Sequence, residues 1–314
     1  MDRLCSACYF FPSSVVLIDV SFPPGGIVKK PGDFFVGVLA ALGISITNGI
    51  ALPMVNVFDD LTKPELMLVR GGVTAVMMVP IFWQHLGRPS GRMIVFSSLF
   101  ALATLCLYSG IRIWGPGPTL VVITATPVVN IVAKLLRGKR VALRVYQCLA
   151  ALIAGVAIAL NPWQAAFSPT GFAVSIAGML LAGIGFEVLG AQKGVNKYNK
   201  TFWVAVITVV VGATASAWSG HVPFVDATWN VTRVMALIGF GAIGGLLYYL
   251  CNIVAIEKLP IEVATTIAMA ETPVVIVFAW FMLGDTMTVV QWTGVLIALS
   301  ATLPLLTDDS PTTE

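Results

Sequence analysis

The sequence predicts an all-α integral membrane protein, with ten transmembrane helices arranged as two inverted five-helix repeats. Three observations carry this expectation. Only 11% of the 314 residues are charged and 58% are hydrophobic, whereas a soluble domain carries about 25% charged residues. The apolar residues fall into ten continuous runs near the roughly 20 residues that a helix needs to cross a bilayer. Finally, a phrase from the first half, "TPVVNIVAKLLRGK" (126–139), returns in the second half as "TPVVIVFAWFMLGD" (272–285).

The ten segments are 34–54, 65–83, 93–111, 118–136, 141–160, 170–190, 202–219, 232–254, 262–283 and 287–306. The first holds Asn48 near its middle. The second carries Arg70 five residues in, followed by Gly71 and Gly72, which allow a neighbouring helix to come close. The third carries no charged residue and gives way to Arg112 and Trp114. Pro127 interrupts the fourth, with Asn130 one turn on along the same face and Lys134 near its cytoplasmic end. The fifth runs on without interruption, and Trp163 lies just beyond it. Glu187 sits late in the sixth. The seventh ends at Trp218, and Trp229 precedes the eighth, which contains "GFGAIGG" (239–245) and then Tyr248, Tyr249 and Asn252. In the ninth, Glu271 stands two residues before Pro273, and Trp280 lies deep within the segment. The tenth closes the apolar part of the chain. Trp83, Trp114, Trp163, Trp218 and Trp229 all fall at segment ends, where an amphipathic ring prefers to sit. Continuous apolar runs exclude a β-barrel, whose strands alternate.

Charge sets the orientation. With the N-terminus inside, 13 Lys and Arg lie in the inner loops and tails or at the span ends beside them, and only Lys63, Arg112 and Arg233 lie in the outer loops or at the span ends beside them. This asymmetry predicts cytoplasmic N- and C-termini. Residues 1–33 read as a cytoplasmic tail without stable structure and 307–314 as a short cytoplasmic tail. The run "SSVVLIDV" is too short and too acidic for a signal peptide.

Aligned at an offset of 146 residues, Thr126-Pro127-Val128-Val129 meets Thr272-Pro273-Val274-Val275, and Gly138 meets Gly284. The repeats are therefore 34–160 and 170–306. Five is an odd number, so the second copy enters the membrane upside down. The turns agree, because "RGKR" places cations on the inner side and "LGDT" an anion on the outer side. Inverted repeats accompany alternating-access transporters, whose sites lie where the repeats meet.

Other classes find less support. The basic residues are scattered, which argues against nucleic acid as a partner. Cys5 and Cys8 form a CxxC without a second ligand pair, so no metal site is expected, and nothing points to a cofactor. His85 and His221 fall in loops on opposite sides and Asp59-Asp60 is an isolated pair, so no catalytic constellation of an integral-membrane lipid-modifying enzyme is visible. No repeated ring of charges suggests a simple pore.

Two long stretches resemble the EamA-type members of the drug/metabolite transporter superfamily. "NGIALPMVNVFDDLTKPELMLVRGGVTAVMMVPIF" follows the opening of that family's repeat, with Arg70 at its second-helix arginine. "AIEKLPIEVATTIAMAETPVVIVFAWFMLGDTMTVVQWTGVLIALSATL" follows the repeat's close. The family has Gly-Glu at the turn, and this chain has Gly284-Asp285 and Gly138-Lys139. The resemblance implies a ten-helix inverted-repeat fold in a cell (inner) membrane. It also implies export or exchange of small metabolites such as amino acids, amines or drug-like compounds, coupled to protons or a counter-substrate, by a monomer or homodimer.

Ionisable groups within the hydrocarbon are costly and are functional candidates by default. Glu271 beside Pro273 is the first choice, since a proline there is expected to free the Met269 carbonyl. Glu187 is weighed between a cavity and a boundary role. Arg70 reads as a snorkelling residue or a clamp on backbone carbonyls, while its family resemblance implies a residue that orients the bundle or meets an anionic group, and Lys134 reads as snorkelling. Asn48, Asn130, Tyr248, Tyr249, Asn252 and Trp280 complete the expected lining, with Pro127 and Pro273 as helix breaks.

Overall fold

The computed structural model describes residues 31–161, 166–192, 194–220, 222–225, 227, 229–283 and 287–306. The Cys5–Cys8 pair, Trp163, His221, the Gly284-Asp285 turn and most of both tails lie outside the described residues. Ten apolar helices long enough to cross a membrane are present among the described residues. Spans one to three are α1 (Pro31–Val57), α2 (Lys63–Phe82) and α3 (Gly91–Trp114). The fourth is split into α4 (Pro116–Thr124) and α5 (Thr126–Leu136), and spans five to seven are α6 (Leu143–Leu160), α7 (Pro169–Gly190) and α8 (Lys197–Trp218). The eighth comprises α9 (Val231–Gly241), a π-helical turn (Ala242–Leu247) and α10 (Tyr248–Lys258). The ninth is α11 (Ile261–Ala268) and α12 (Glu271–Leu283), and the tenth is α13 (Val289–Ser300) and α14 (Leu303–Leu306).

The seventh span begins at Lys197, five residues earlier than its expected start at 202. The reason is local. The Asn196 side chain accepts from the Tyr198 N–H at 2.9 Å, satisfying a donor that a helix start leaves open. Lys200 therefore lies within the helix and is fully buried. Its ammonium donates to the Glu257 carboxylate at 2.6 Å and to the Gln192 carbonyl at 2.9 Å.

Both Thr-Pro sequences break their helices. At the first, the Ala125 N–H turns back to the Val122 carbonyl at 3.1 Å, and the Thr126 hydroxyl donates to the Ile123 carbonyl at 2.6 Å. At the second, the Met269 carbonyl expected to be free instead accepts from the Thr272 N–H at 3.2 Å. A tighter turn absorbs the donor lost at Pro273. From α1, the Ser45 hydroxyl lies 3.3 Å from the Ile267 and Ala268 carbonyls. The two breaks also touch, with the hydroxyls of Thr124 and Thr272 2.9 Å apart.

The dominant packing pairs are α3 on α7, α2 on α8, α6 on α13, and α1 on both α10 and α12. At the α6–α13 crossing the two backbones nearly touch. A Cβ built on Gly294 would stand 2.4 Å from the Ala159 nitrogen, and one on Gly155 would stand 2.5 Å from the Ala298 nitrogen. Polarity is distributed as lipid demands. Leu136, Val76 and Phe281 are exposed, while Asn48, Arg70, Asn130 and Glu271 are buried. Hydrocarbon solvates the former at no cost, and the polar groups turn inward to find partners.

Candidate functional site

Two hydrophobic clusters meet at the middle of the bundle. One includes Tyr108 and Phe240, and the other Phe100 and Tyr249. Arg70 reaches the seam from α2 and is 2% exposed. Its Nη1 donates to the Tyr108 hydroxyl at 3.0 Å. Its guanidinium carbon lies 4.6 Å from the Tyr248 ring centre and 5.2 Å from that of Tyr249, so both rings offer cation–π contact. Phe100 supports these walls, with its ring 6.0 Å from Tyr248 and 5.8 Å from Tyr249. The Tyr249 hydroxyl lies 3.5 Å from that of Thr208.

Glu271 begins α12 at the second helix break and is 3% exposed. Its Oε2 accepts from Asn48 Nδ2 at 2.8 Å. Arg70 and Tyr248 lie within electrostatic reach of it. Asn252, one turn after Tyr248, donates to the Tyr248 carbonyl at 2.9 Å. Asn48, Arg70, Tyr248, Tyr249, Asn252 and Glu271 are thus drawn from four spans into one central cluster.

The π-helical turn lies immediately before the two tyrosines. Such turns recur at functional sites. Gly245 within it lets the eighth span press against α2, since a Cβ there would lie 2.1 Å from Thr74 Oγ1 and 2.7 Å from the Arg70 carbonyl oxygen.

Other expected residues lie elsewhere. Asn130 donates to the Gly183 carbonyl at 2.9 Å and to Glu187 at 3.2 Å, and Glu187 forms an ion pair with Arg137. These groups make a separate polar link between α5 and α7. Arg70 neither snorkels nor clamps carbonyls with its guanidinium, because Tyr108, Tyr248 and Tyr249 enclose it. Lys134 does not simply snorkel either, since it pairs with the buried Glu262 of α11. Trp280 is 40% exposed and packs on Trp292 with ring centres 5.3 Å apart, so it faces away from the central cluster. Pro127 and Pro273 sit at the two breaks. Sequence reasoning missed Tyr108 and Thr208. Each is a hydroxyl inside an apolar span, the one signal that marks it.

Two clefts open along the ninth span, on either side of Glu271 in the chain, and no residue of the cluster lines either one. The larger, about 970 Å³, includes His85, Lys139, Gln192, Tyr198, Glu257 and Ile261 in its wall. The smaller, about 430 Å³, is walled by residues including Leu52, Leu120, Ile276, Trp280 and Gln291. Ile261 and Trp280 lie at opposite ends of the ninth span, with Glu271 between them. No group of three or more His, Cys, Asp or Glu residues suited to a metal ion is found among the described residues.

No curated protein matches the chain in sequence. One crystal structure, described only as that of a protein, shares the fold with a TM-score of 0.72 at 11% identity, covering 88% of this chain and 96% of that one. Residues 169–307 match the model of the EamA-like transporter family. The five spans from Pro169 onward, among them the Glu271 and Tyr248–Tyr249 arms of the central cluster, are thus similar to the EamA-like transporter family.

Proposed function

We propose that this protein is a secondary transporter that exports or exchanges a small metabolite by alternating access, with Glu271 and Arg70 at its working centre. The observation that carries this reading is the position of Glu271. A buried carboxylate opens a broken helix, faces a buried guanidinium across an aromatic wall, and lies between clefts at the two ends of the same span. A broken helix beside an ionisable group is the usual construction of a transporter site. The solute expected is a small amino acid, amine or drug-like compound, with a proton or counter-substrate moving in exchange. In liposomes carrying the purified protein, a gradient is expected to drive saturable uptake or release of such a solute. Chemical conversion of the solute without its movement would instead mark an enzyme.

The inverted repeat supplies the mechanism. When the first five spans are exchanged with the last five, the dominant packing pairs map onto one another. The α3–α7 pair becomes the eighth span against α1, while α2–α8 and α6–α13 become themselves. The two helix breaks are equivalent positions and touch at Thr124 and Thr272. Two halves related in this way can exchange conformations and move the opening from one side to the other. Both termini would lie in the cytoplasm of a cell with the protein in its inner membrane, acting as a monomer or homodimer. The topology has its own test. Single cysteines at Lys139 and Thr288, after the fourth span and before the tenth, should react with an impermeant thiol reagent from opposite sides. Labelling from one side would remove the inverted arrangement.

A further inference from the structure

Arg70 has three nitrogens, and the protein uses one. Nη1 serves Tyr108, while Nε and Nη2 meet no acceptor among the described residues. These two form one edge of the guanidinium, with parallel N–H groups spaced to match the two oxygens of a carboxylate. Tyr248 and Tyr249 contact the planar group through their rings and offer no acceptor to that edge. The carboxylate of the same cluster does not take it either: Glu271 Oε2 accepts from Asn48, and Glu271 makes no hydrogen bond to Arg70 among the described residues. Buried donors left unmet are costly, and each one in a native fold calls for a reason.

We infer that the Nε–Nη2 edge of Arg70 is a carboxylate clamp, and that the transported solute must carry a carboxylate. This inference deepens the transporter reading and rests on it for the word "transported". The clamp is specific in geometry. An amide presents one oxygen and a competing NH2 group, so it cannot accept both bonds, and a lysine in place of Arg70 offers a point charge without a fork. The neighbouring surfaces fit the same role. The Asn48 Oδ1 is a buried acceptor without a donor among the described residues, and together with Glu271 it presents negative character to whatever the clamp holds. A solute with a donor group beyond its carboxylate would meet both.

Thermal unfolding of the full-length protein in detergent tests the clamp directly. The probes are butyrate, succinate, leucine and phenylalanine, each beside its primary amide. At least one acid is expected to raise the wild-type unfolding temperature in a saturable way, with its amide weaker by at least about tenfold in apparent affinity. In Arg70→Lys the acid should lose about as much. Stabilisation by amides equal to that by acids, no stabilisation by any acid, or undiminished acid binding in Arg70→Lys would each overturn the clamp. The acid–amide comparison needs no variant, so it stands even if Arg70→Lys does not fold. Liposome flux separates this inference from the broader reading. Saturable transport of a solute without a carboxylate sinks the clamp and keeps the transporter. Acid-specific binding without any flux keeps the clamp and sinks the transporter.

Discussion

Replacing Glu271 with glutamine is expected to lower the initial transport rate at least about tenfold, which corresponds to roughly 1.4 kcal/mol on the limiting barrier. Folded protein should be recovered in near wild-type yield. The two expectations are separable because glutamine keeps the shape and an acceptor oxygen, so the Asn48 bond at 2.8 Å can persist. What disappears is the charge and the ability to exchange a proton. Arg70 then faces an uncharged partner in a water-poor site, where a lost charge weighs far more than at a surface. The change should also flatten any dependence of transport on pH that this carboxylate sets, since an amide does not titrate. Initial rates in liposomes across a pH series read both effects. Wild-type rates at every pH would remove Glu271 from the mechanism.

The second large effect is expected at the α6–α13 crossing, far from any charge. Gly294→Leu should leave little folded protein, and Gly294→Ala should already lower the unfolding temperature. A Cβ at Gly294 meets the Ala159 nitrogen at 2.4 Å and the Gly155 carbonyl oxygen at 2.6 Å. Both are backbone atoms within a helix and cannot swing aside, so the helices must part by about 1 Å and lose packing along the contact. Overpacking costs about 1–3 kcal/mol for small additions and more where the backbone is the obstacle. Gly155→Ala strikes the same contact, so the double alanine variant should cost less than the two single costs added together. Gly72→Ala is the control, because nothing lies within 4 Å of its added Cβ. It should be neutral, or stabilising by up to about 1 kcal/mol through helix propensity. Equal losses at Gly72 and Gly294 would show that the crossing is not special. Melting of the purified variants decides the matter.

Much of this architecture was legible in the chain because the bilayer fixes the length of every span and Pro marks the breaks. The Met269 carbonyl shows where such reading ends. Pro273 announces a lost bond, but only the folded turn shows that the Thr272 N–H takes its place. Glu271 and Asn48 each stand out as polar residues in apolar segments. Their pairing spans 223 positions, and no local pattern encodes it. The snorkelling reading of Arg70 fails for a related reason. Its distance from a helix end speaks for snorkelling, yet its environment comes from Tyr108 on the third span and Tyr248 and Tyr249 on the eighth. Trp280 lines a cleft toward the end of its span and not the central cluster, since position along a helix does not say which face a ring occupies. Glu187 had two readings, and Arg137 and Asn130 give it partners that neither reading named.

The π-helical turn at Ala242–Leu247 makes the eighth span a helix with one residue more than its length requires. The wide turn absorbs that surplus. Deleting one residue between Ala242 and Leu247 would let the backbone bonds close in the ordinary α pattern, and the helices on either side would keep nearly the same orientation, because a π turn advances by a smaller angle per residue than an α turn. Tightening the turn to the α pattern with every residue kept would do the opposite. Everything after it would be turned by about 100° relative to everything before it, and Tyr248 and Tyr249 would leave the guanidinium. In this chain, the aromatic wall is held in place by the width of one turn as much as by the tyrosines themselves.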